Sequence, residues 1–220
     1  MNKKLNQKKY NICLTYGTFD MFHYGHFSIL LRCKNQCKKL IIGVSTDFYN
    51  KNKNKESFQN ELQRFNFINA LPFVDKVIYE NDFKTQWKKD FEKYKADVIF
   101  IGDDHKGELD YLIEKGINII YLNRTKGVST SDIKDKLKTK KVTFFVQNEW
   151  NETEKLFKNI NKYNSSRDNF LILAINSKNK GSSQLYDFWN GSKKLDFIFL
   201  FKNLDEINKL KEKINSWKKN

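Results

Sequence analysis

The chain has 220 residues, 39% of them hydrophobic and 15% aromatic, with a formal charge of +15. That content supports a folded protein with a real core and excludes a disordered one. No apolar run approaches the roughly 20 residues of a membrane span, and the N-terminal MNKKLNQKKY has no hydrophobic segment to act as a signal peptide, so a cytoplasmic protein is expected.

The charge invites a nucleic-acid reading, but the lysines are scattered among asparagines, as in KNKNKE, and no aromatic-plus-basic module stands out. Specific DNA or RNA binding is therefore not expected. Surplus positive charge equally suits a protein that handles phosphates. Three cysteines, Cys13, Cys33 and Cys37, make a poor disulfide framework and no zinc site, so reduced structural thiols are expected.

In chain order, YNICLTYG (10–17) reads as a strand, HFSILLRCKNQC (26–37) as a helix and KLIIGVST (39–46) as a strand buried on both faces. SFQNELQRFNFINAL (57–71) reads as a helix with Ser57 as its N-cap, stopped by the one proline, Pro72. Strands follow at 74–80, 97–103 and 117–123, with helices over 84–95 and around 108–115. Strands alternating with helices predict βαβ units and a Rossmann-like, doubly wound parallel sheet over residues 1–139. The pattern then restarts, with strands at 141–147, 169–176 and 195–201 and helices at 151–163 and 204–217. Residues 140–220 are expected to form a second, small α/β unit, or to extend the first sheet.

In an open α/β sheet, ligands bind beyond the carboxyl ends of the strands. The polar clusters of this chain fall there. Gly17-Thr18-Phe19-Asp20 and His23-Tyr24-Gly25-His26 follow the first strand, and Ser45-Thr46-Asp47 with a lysine-rich loop follows the second. Gly102-Asp103-Asp104-His105 and then Arg124 to Ser131 follow later strands. His23 and His26, two of only three histidines, are i and i+3 at a helix start, so they share a face where free N–H groups and the helix dipole favour phosphate. Two imidazoles there can donate to a phosphate whose charge grows in a transition state, and Gly25 leaves room for the ligand between them. The alternative is a satisfied, half-buried pair; the concentration of polar clusters at one sheet edge favours the site.

GTFDMFHYGH resembles the HxGH signature of the nucleotidyltransferase superfamily, and RTKGVSTS its second signature in the cytidylyltransferase branch. With STD, FVDKVI and GDD in the same order, they most resemble glycerol-3-phosphate cytidylyltransferases, with choline- and ethanolamine-phosphate enzymes as cousins. The likeness covers about residues 10–139. It implies that CTP and a phosphorylated alcohol give a CDP-alcohol and pyrophosphate by direct attack on the α-phosphorus. Mg²⁺ would be carried by the nucleotide, with no metal ligand from the protein, and no Ser or Cys nucleophile is needed. A homodimer is also implied.

By matching motif positions, His23, His26 and Arg124 would be catalytic. Gly17, Thr18, Phe19, Asp20, Gly25, Lys55, Asp104, Thr125, Gly127, Val128, Ser129 and Thr130 would meet the nucleotide, and Lys53, Asp47 and Lys88 the acceptor. Two departures bear on acceptor choice: Pro72 stands where relatives often carry arginine, and His105 where glycerol-type relatives tend to carry tryptophan. Other acceptors, an adenylyltransferase on the same fold, and a catalytically idle nucleotide-binding protein are the alternatives; RTKGVSTS argues against the second and intact His23, His26 and Arg124 against the third. The C-terminal unit has no histidine and no phosphate-loop signature, and a noncatalytic role is expected for it.

Overall fold

The structure, a computed structural model, describes residues 8–147, 169–176, 196–201 and 203–219. Its elements are β1 (Tyr10–Gly17), α1 (Tyr24–Gln36), β2 (Cys37–Ser45), α2 (Asp47–Asn52), α3 (Glu61–Asn69), β3 (Lys76–Glu80), α4 (Phe83–Tyr94), β4 (Val98–Gly102) and a tight helical turn at Asp103–His105. There follow α5 (Asp110–Ile113), β5 (Ile119–Leu122), α6 (Thr130–Thr139), β6 (Lys141–Gln147), β7 (Asn169–Asn176), β8 (Phe197–Phe201) and α7 (Leu204–Lys219). The helix expected over 151–163 lies outside the described residues. Among the described residues, no helix is long and apolar enough to cross a membrane.

The chain divides into two compact units. The first holds the chain up to Phe19, then 28–69 and 73–125; the second holds 20–27, 70–72 and everything from Lys126 on. The boundary therefore falls inside α1.

The first unit carries a five-stranded, all-parallel sheet in the order β3-β2-β1-β4-β5. Its central strands are buried over unbroken runs, Cys13 to Tyr16 in β1 and Leu40 to Ser45 in β2, as a parallel sheet covered on both faces requires. The chain reverses direction of winding between β1 and β4, which makes their carboxyl ends the switch point at which such sheets bind ligands. The Rossmann-like expectation is borne out. The second unit carries a separate three-stranded parallel sheet, β6-β7-β8, and does not extend the first.

One device fixes register in both sheets. Asp75, Asp97 and Asp196 each stand one residue before a strand. Each donates its backbone N–H to a neighbouring strand, at Leu40, Ile12 and Leu171, and takes that same residue's N–H on its carboxylate, at 2.7, 2.8 and 3.0 Å. A one-residue slip would break two hydrogen bonds at once and turn every side chain to the wrong face.

The start of α3 differs from expectation. Ser57 is not its N-cap: its hydroxyl accepts from Asn50 Nδ2 at 3.0 Å, and the helix begins at Glu61. Asn60 and Gln63 cap it reciprocally, Asn60 Oδ1 accepting from Gln63 N and Gln63 Oε1 from Asn60 N. The cysteines are all free and buried.

An aromatic joint ties the helix layer to the sheet. Tyr16 of β1 stacks on Trp87 of α4, ring centroids 4.4 Å apart and 12° from parallel. Trp87 Nε1 donates to Glu80 at 2.8 Å, and Glu80, 2% exposed, also accepts from Ser45 Oγ at 2.5 Å. Burial pushes the Glu80 carboxyl above its ordinary range, although both hydrogen bonds and the Lys53 charge oppose it. Opposite Tyr16 on β2 sits Gly43, where a Cβ would stand 2.2 Å from Tyr16 Cδ1. With Trp87 behind it the ring cannot withdraw, so Gly43→Ala should cost about 1–3 kcal/mol through overpacking; a thermal melt reads this as a lowered midpoint.

A carboxyl with a raised pKa binds its proton more tightly folded than unfolded. Its contribution to stability is therefore lost as pH rises from the ordinary glutamate range through the raised value. Relative to wild type, Glu80→Gln should gain stability in urea titrations as pH rises above the ordinary glutamate range; a difference that stays constant would mean that folding leaves the Glu80 pKa unshifted.

Candidate active site

At the carboxyl end of β1 the chain turns through Gly17, Thr18 and Phe19. Phe19 takes a positive φ of 53°, and its ring lies so close to Gly17 that a Cβ there would meet Cζ at 3.0 Å. Thr18 Oγ1 donates to Asn50 Oδ1 at 3.1 Å. Beneath this turn lies Arg64 of α3, fully buried. Its guanidinium donates to the carbonyls of Thr18 (2.8 Å), Ser45 (2.6 Å) and Gln59 (3.1 Å) and to Asp47 Oδ1 (2.5 Å). Asp47 also exchanges backbone-to-carboxylate hydrogen bonds with Glu61, 2.7 and 2.9 Å. The structure thus places Asp47, expected at the acceptor, on internal partners.

Lys53 lies just past α2 with its ammonium 3.4 Å from the centre of the Tyr49 ring. Burial lowers its pKa, and the charge of Lys55 adds to the effect while Glu80 and Glu108 oppose it. His105 Nδ1 is 2.8 Å from Glu108 Oε2, and this hydrogen bond holds the Glu108 carboxyl below its usual range. Lys53, Glu80, His105 and Glu108 therefore feel one another across the loops that follow β2, β3 and β4. Lys55 is exposed, its N–H bonded to the Asn50 carbonyl at 2.9 Å. Arg124, after β5, has its backbone N–H on Asp103 Oδ1 (3.2 Å) and its guanidinium 3.7 Å from Asp104. Thr125 follows, half-buried. Lys88 stands apart from these groups in its contacts: it lies on α4, paired with Glu92 at 3.7 Å.

In the second unit, His23 sits just before α1 and His26 in its first turn. Their rings stack, with centroids 3.8 Å apart and planes 23° from parallel. Gly25 is what permits this. A Cβ there would lie 2.9 Å from His23 Cε1 and 3.1 Å from Val128 Cγ1. Gly25 N–H donates to His23 Nδ1 at 3.1 Å, so in the neutral ring the proton belongs on Nε2, which faces Thr130 Oγ1 at 3.3 Å. The Thr130 hydroxyl in turn points to the Asp20 carbonyl at 3.4 Å. His23 is buried and His26 half-buried.

Gly127 supplies a turn at φ 79° ahead of α6, and Ser129 is the N-cap of that helix, its hydroxyl accepting from Asp132 N at 3.1 Å. Asp20, 3% exposed, has its carboxylate 3.3 Å from Lys134 of α6. The HxGH segment and the RTKGVSTS helix start are thus joined through His23–Thr130 and Asp20–Lys134.

Arg64, Asn50 and Lys134 were not among the candidates. Arg64 and Lys134 read as outward charges on amphipathic helices, and only the third dimension turns them inward. The second unit thus offers a stacked pair of imidazoles at a helix start, and the first a buried cation fixed beneath the carbonyls of the turn after β1.

A family model described as Cytidylyltransferase-like matches residues 14–186. A glycerol-3-phosphate cytidylyltransferase of Staphylococcus aureus is 41% identical over 124 residues, 56% of this chain and 92% of that protein. Its counterpart in Bacillus spizizenii is 44% identical over 121 residues, 55% of this chain and 92% of the other. An ethanolamine-phosphate cytidylyltransferase of Arabidopsis thaliana is 31% identical over 132 residues, 53% of this chain and 30% of the other. The matched model spans most of the chain and takes in both histidines and the second motif, and so the chain belongs to the cytidylyltransferase-like family, in the cytidylyltransferase branch of the nucleotidyltransferase superfamily.

Proposed function

We propose that the protein transfers CMP from CTP to glycerol 3-phosphate, giving CDP-glycerol and pyrophosphate. The observation that carries this reading is the stacked His23–His26 pair at a helix start, in a chain 41–44% identical to proteins of that named activity along nearly their whole length. A phosphate oxygen of the acceptor attacks the α-phosphorus of CTP, the bond from that phosphorus to the bridging oxygen breaks, and pyrophosphate leaves. Such a transfer asks a protein for position and charge stabilisation.

On this reading His26, the more exposed ring, donates to the triphosphate where charge develops, and His23 is held behind it by Gly25 and Thr130. Arg124 meets phosphate oxygens through its fork of donors. Gly17, Thr18, Phe19 and Asp104 belong to the nucleotide, as do Lys55 and the residues from Thr125 to Thr130. Lys53 belongs to the acceptor phosphate. Asp20 and Asp47, expected at the nucleotide and the acceptor, also hold Lys134 and Arg64, and Lys88 keeps the weakest claim to the acceptor.

Mg²⁺ prefers oxygen ligands and keeps several waters. The nitrogen donors of the histidine pair do not suit it as a cage. The ion is proposed to travel with the triphosphate, and no step is assigned to it. A catalytic domain over 1–139, a noncatalytic unit over 140–220 and a homodimer complete the proposal. Phosphoethanolamine is the second acceptor to test, on the strength of the Arabidopsis relative.

Pyrophosphate release with CTP or ATP, against glycerol 3-phosphate, phosphoethanolamine, phosphocholine and longer polyol phosphates, tests the reading. Release is expected with CTP and glycerol 3-phosphate; release with ATP alone would replace it by adenylyl transfer. His26→Ala should lower turnover by about 10²–10³, the size seen when one oxyanion-type donor is removed. Near-normal turnover in that variant would take the histidine pair out of the mechanism.

A further inference from the structure

Within the second unit, the turn that leads into the histidines is strained and held from three sides. Met21, wholly buried, has φ 48°, a left-handed backbone that a long side chain adopts only when its surroundings force it. Ile198 of β8 donates its N–H to the Phe22 carbonyl at 3.2 Å. Lys134 of α6 holds the buried Asp20 carboxylate. The same ammonium lies 5.3 Å from the centre of the Trp217 ring in α7. Two of these supports, β8 and α7, come from the C-terminal unit. The S. aureus relative has no room for them, since the aligned 124 residues already make up 92% of it.

We propose that Trp217 is a positioning residue for the HxGH segment, acting through Lys134 on Asp20, and that the C-terminal unit serves the transferase as a clamp on the turn before His23; this rests on the cytidylyl-transfer reading. A lysine has a long, mobile stem, and one carboxylate fixes its charge only loosely. An aromatic face attracts the ammonium and confines it. With the ring in place, Lys134 keeps Asp20 where the Thr130 hydroxyl meets the Asp20 carbonyl, and Thr130 in turn faces His23 Nε2. The path from α7 to the catalytic imidazole is thus Trp217, Lys134, Asp20, Thr130, His23.

Trp217 is half-buried in the last turn of α7 and continues the face of the buried Ile207, Leu210 and Ile214, so Trp217→Phe, which keeps an apolar ring on that face, is the control for packing lost in Trp217→Ala. The test uses the full chain and two variants, Trp217→Ala and Trp217→Phe. Three histidines give three ring Cε1–H signals by NMR, with His105, in the first unit, as an internal control. Trp217→Ala is expected to move the His23 and His26 signals and leave that of His105. It should also lower kcat by roughly 3- to 10-fold, the scale of a half-desolvated cation–π contact, at unchanged KM for the acceptor. Trp217→Phe, which keeps an aromatic face, should restore most of both. Unmoved His23 and His26 signals in Trp217→Ala, an unchanged kcat, or a Trp217→Phe variant no better than alanine would each overturn the proposal. If the wild type turns over no acceptor with CTP, the transfer reading fails, and the NMR arm still decides whether Trp217 positions the histidines.

Discussion

A cation withdrawn wholly from water organises the first unit. The Arg64 guanidinium has no exposure, and its desolvation is tolerated only because four acceptors surround it. Those acceptors are not interchangeable: one follows β1, one ends β2, one precedes α3 and one opens α2. A planar fork of donors with fixed geometry sets their separations, in a way that a lysine point charge does not. The turn Gly17-Thr18-Phe19 is therefore not a free loop at the end of a strand. Its middle carbonyl is fastened to the same group that fastens Ser45 and Asp47, so the lips of β1 and β2 hold one shape before any ligand arrives, which is the condition for stabilising a transition state without reorganisation.

The parallel sheets show the same economy. Asp75, Asp97 and Asp196 repeat one arrangement in two separate sheets: an aspartate before a strand, bonded through backbone and side chain to a single residue of the neighbour. The pattern was in plain view as VDKVIY, ADVIF and LDFIFLF. Its meaning was not, because the partners lie 35, 85 and 25 residues away along the chain. At Asp196 burial raises the carboxyl pKa while the Leu171 N–H and Lys136 oppose it, which marks a carboxylate placed for its hydrogen bonds and not for solvation.

What was legible in the sequence was whatever a local pattern dictates. The limits of β1, β6 and β7 coincide with their apolar runs, and the five-strand parallel sheet follows from strands alternating with helices. The HxGH pair was legible because rare residues were doubled at helical spacing. The start of α3 was misplaced because Ser57 and Asn60 are both good caps, and the choice between them was made elsewhere: Asn50 draws the Ser57 side chain away, while Gln63 reciprocates Asn60. Helix α2 was hidden in a lysine-rich stretch that reads as loop. Arg64 and Asp47 were invisible as a pair, since a charge at position 64 of an amphipathic pattern is normally a solvated one and nothing local says that a strand end waits for it.

The same reasoning explains why two histidines need the glycine between them. Imidazoles at i and i+3 share a helix face, but a stack with centroids 3.8 Å apart requires one ring to fold back over the turn before the helix, where a Cβ at position 25 would occupy its place. Folding back brings His23 Nδ1 onto the Gly25 N–H, which spends one free helix-start donor inside the protein and fixes where the ring carries its proton. The remaining nitrogen then faces Thr130, the first residue of another helix. A glycine, a tautomer and a second helix start are therefore one constraint: none holds its geometry if either of the others is changed, and that mutual dependence is what makes HxGH a structural unit and not merely two histidines at convenient spacing.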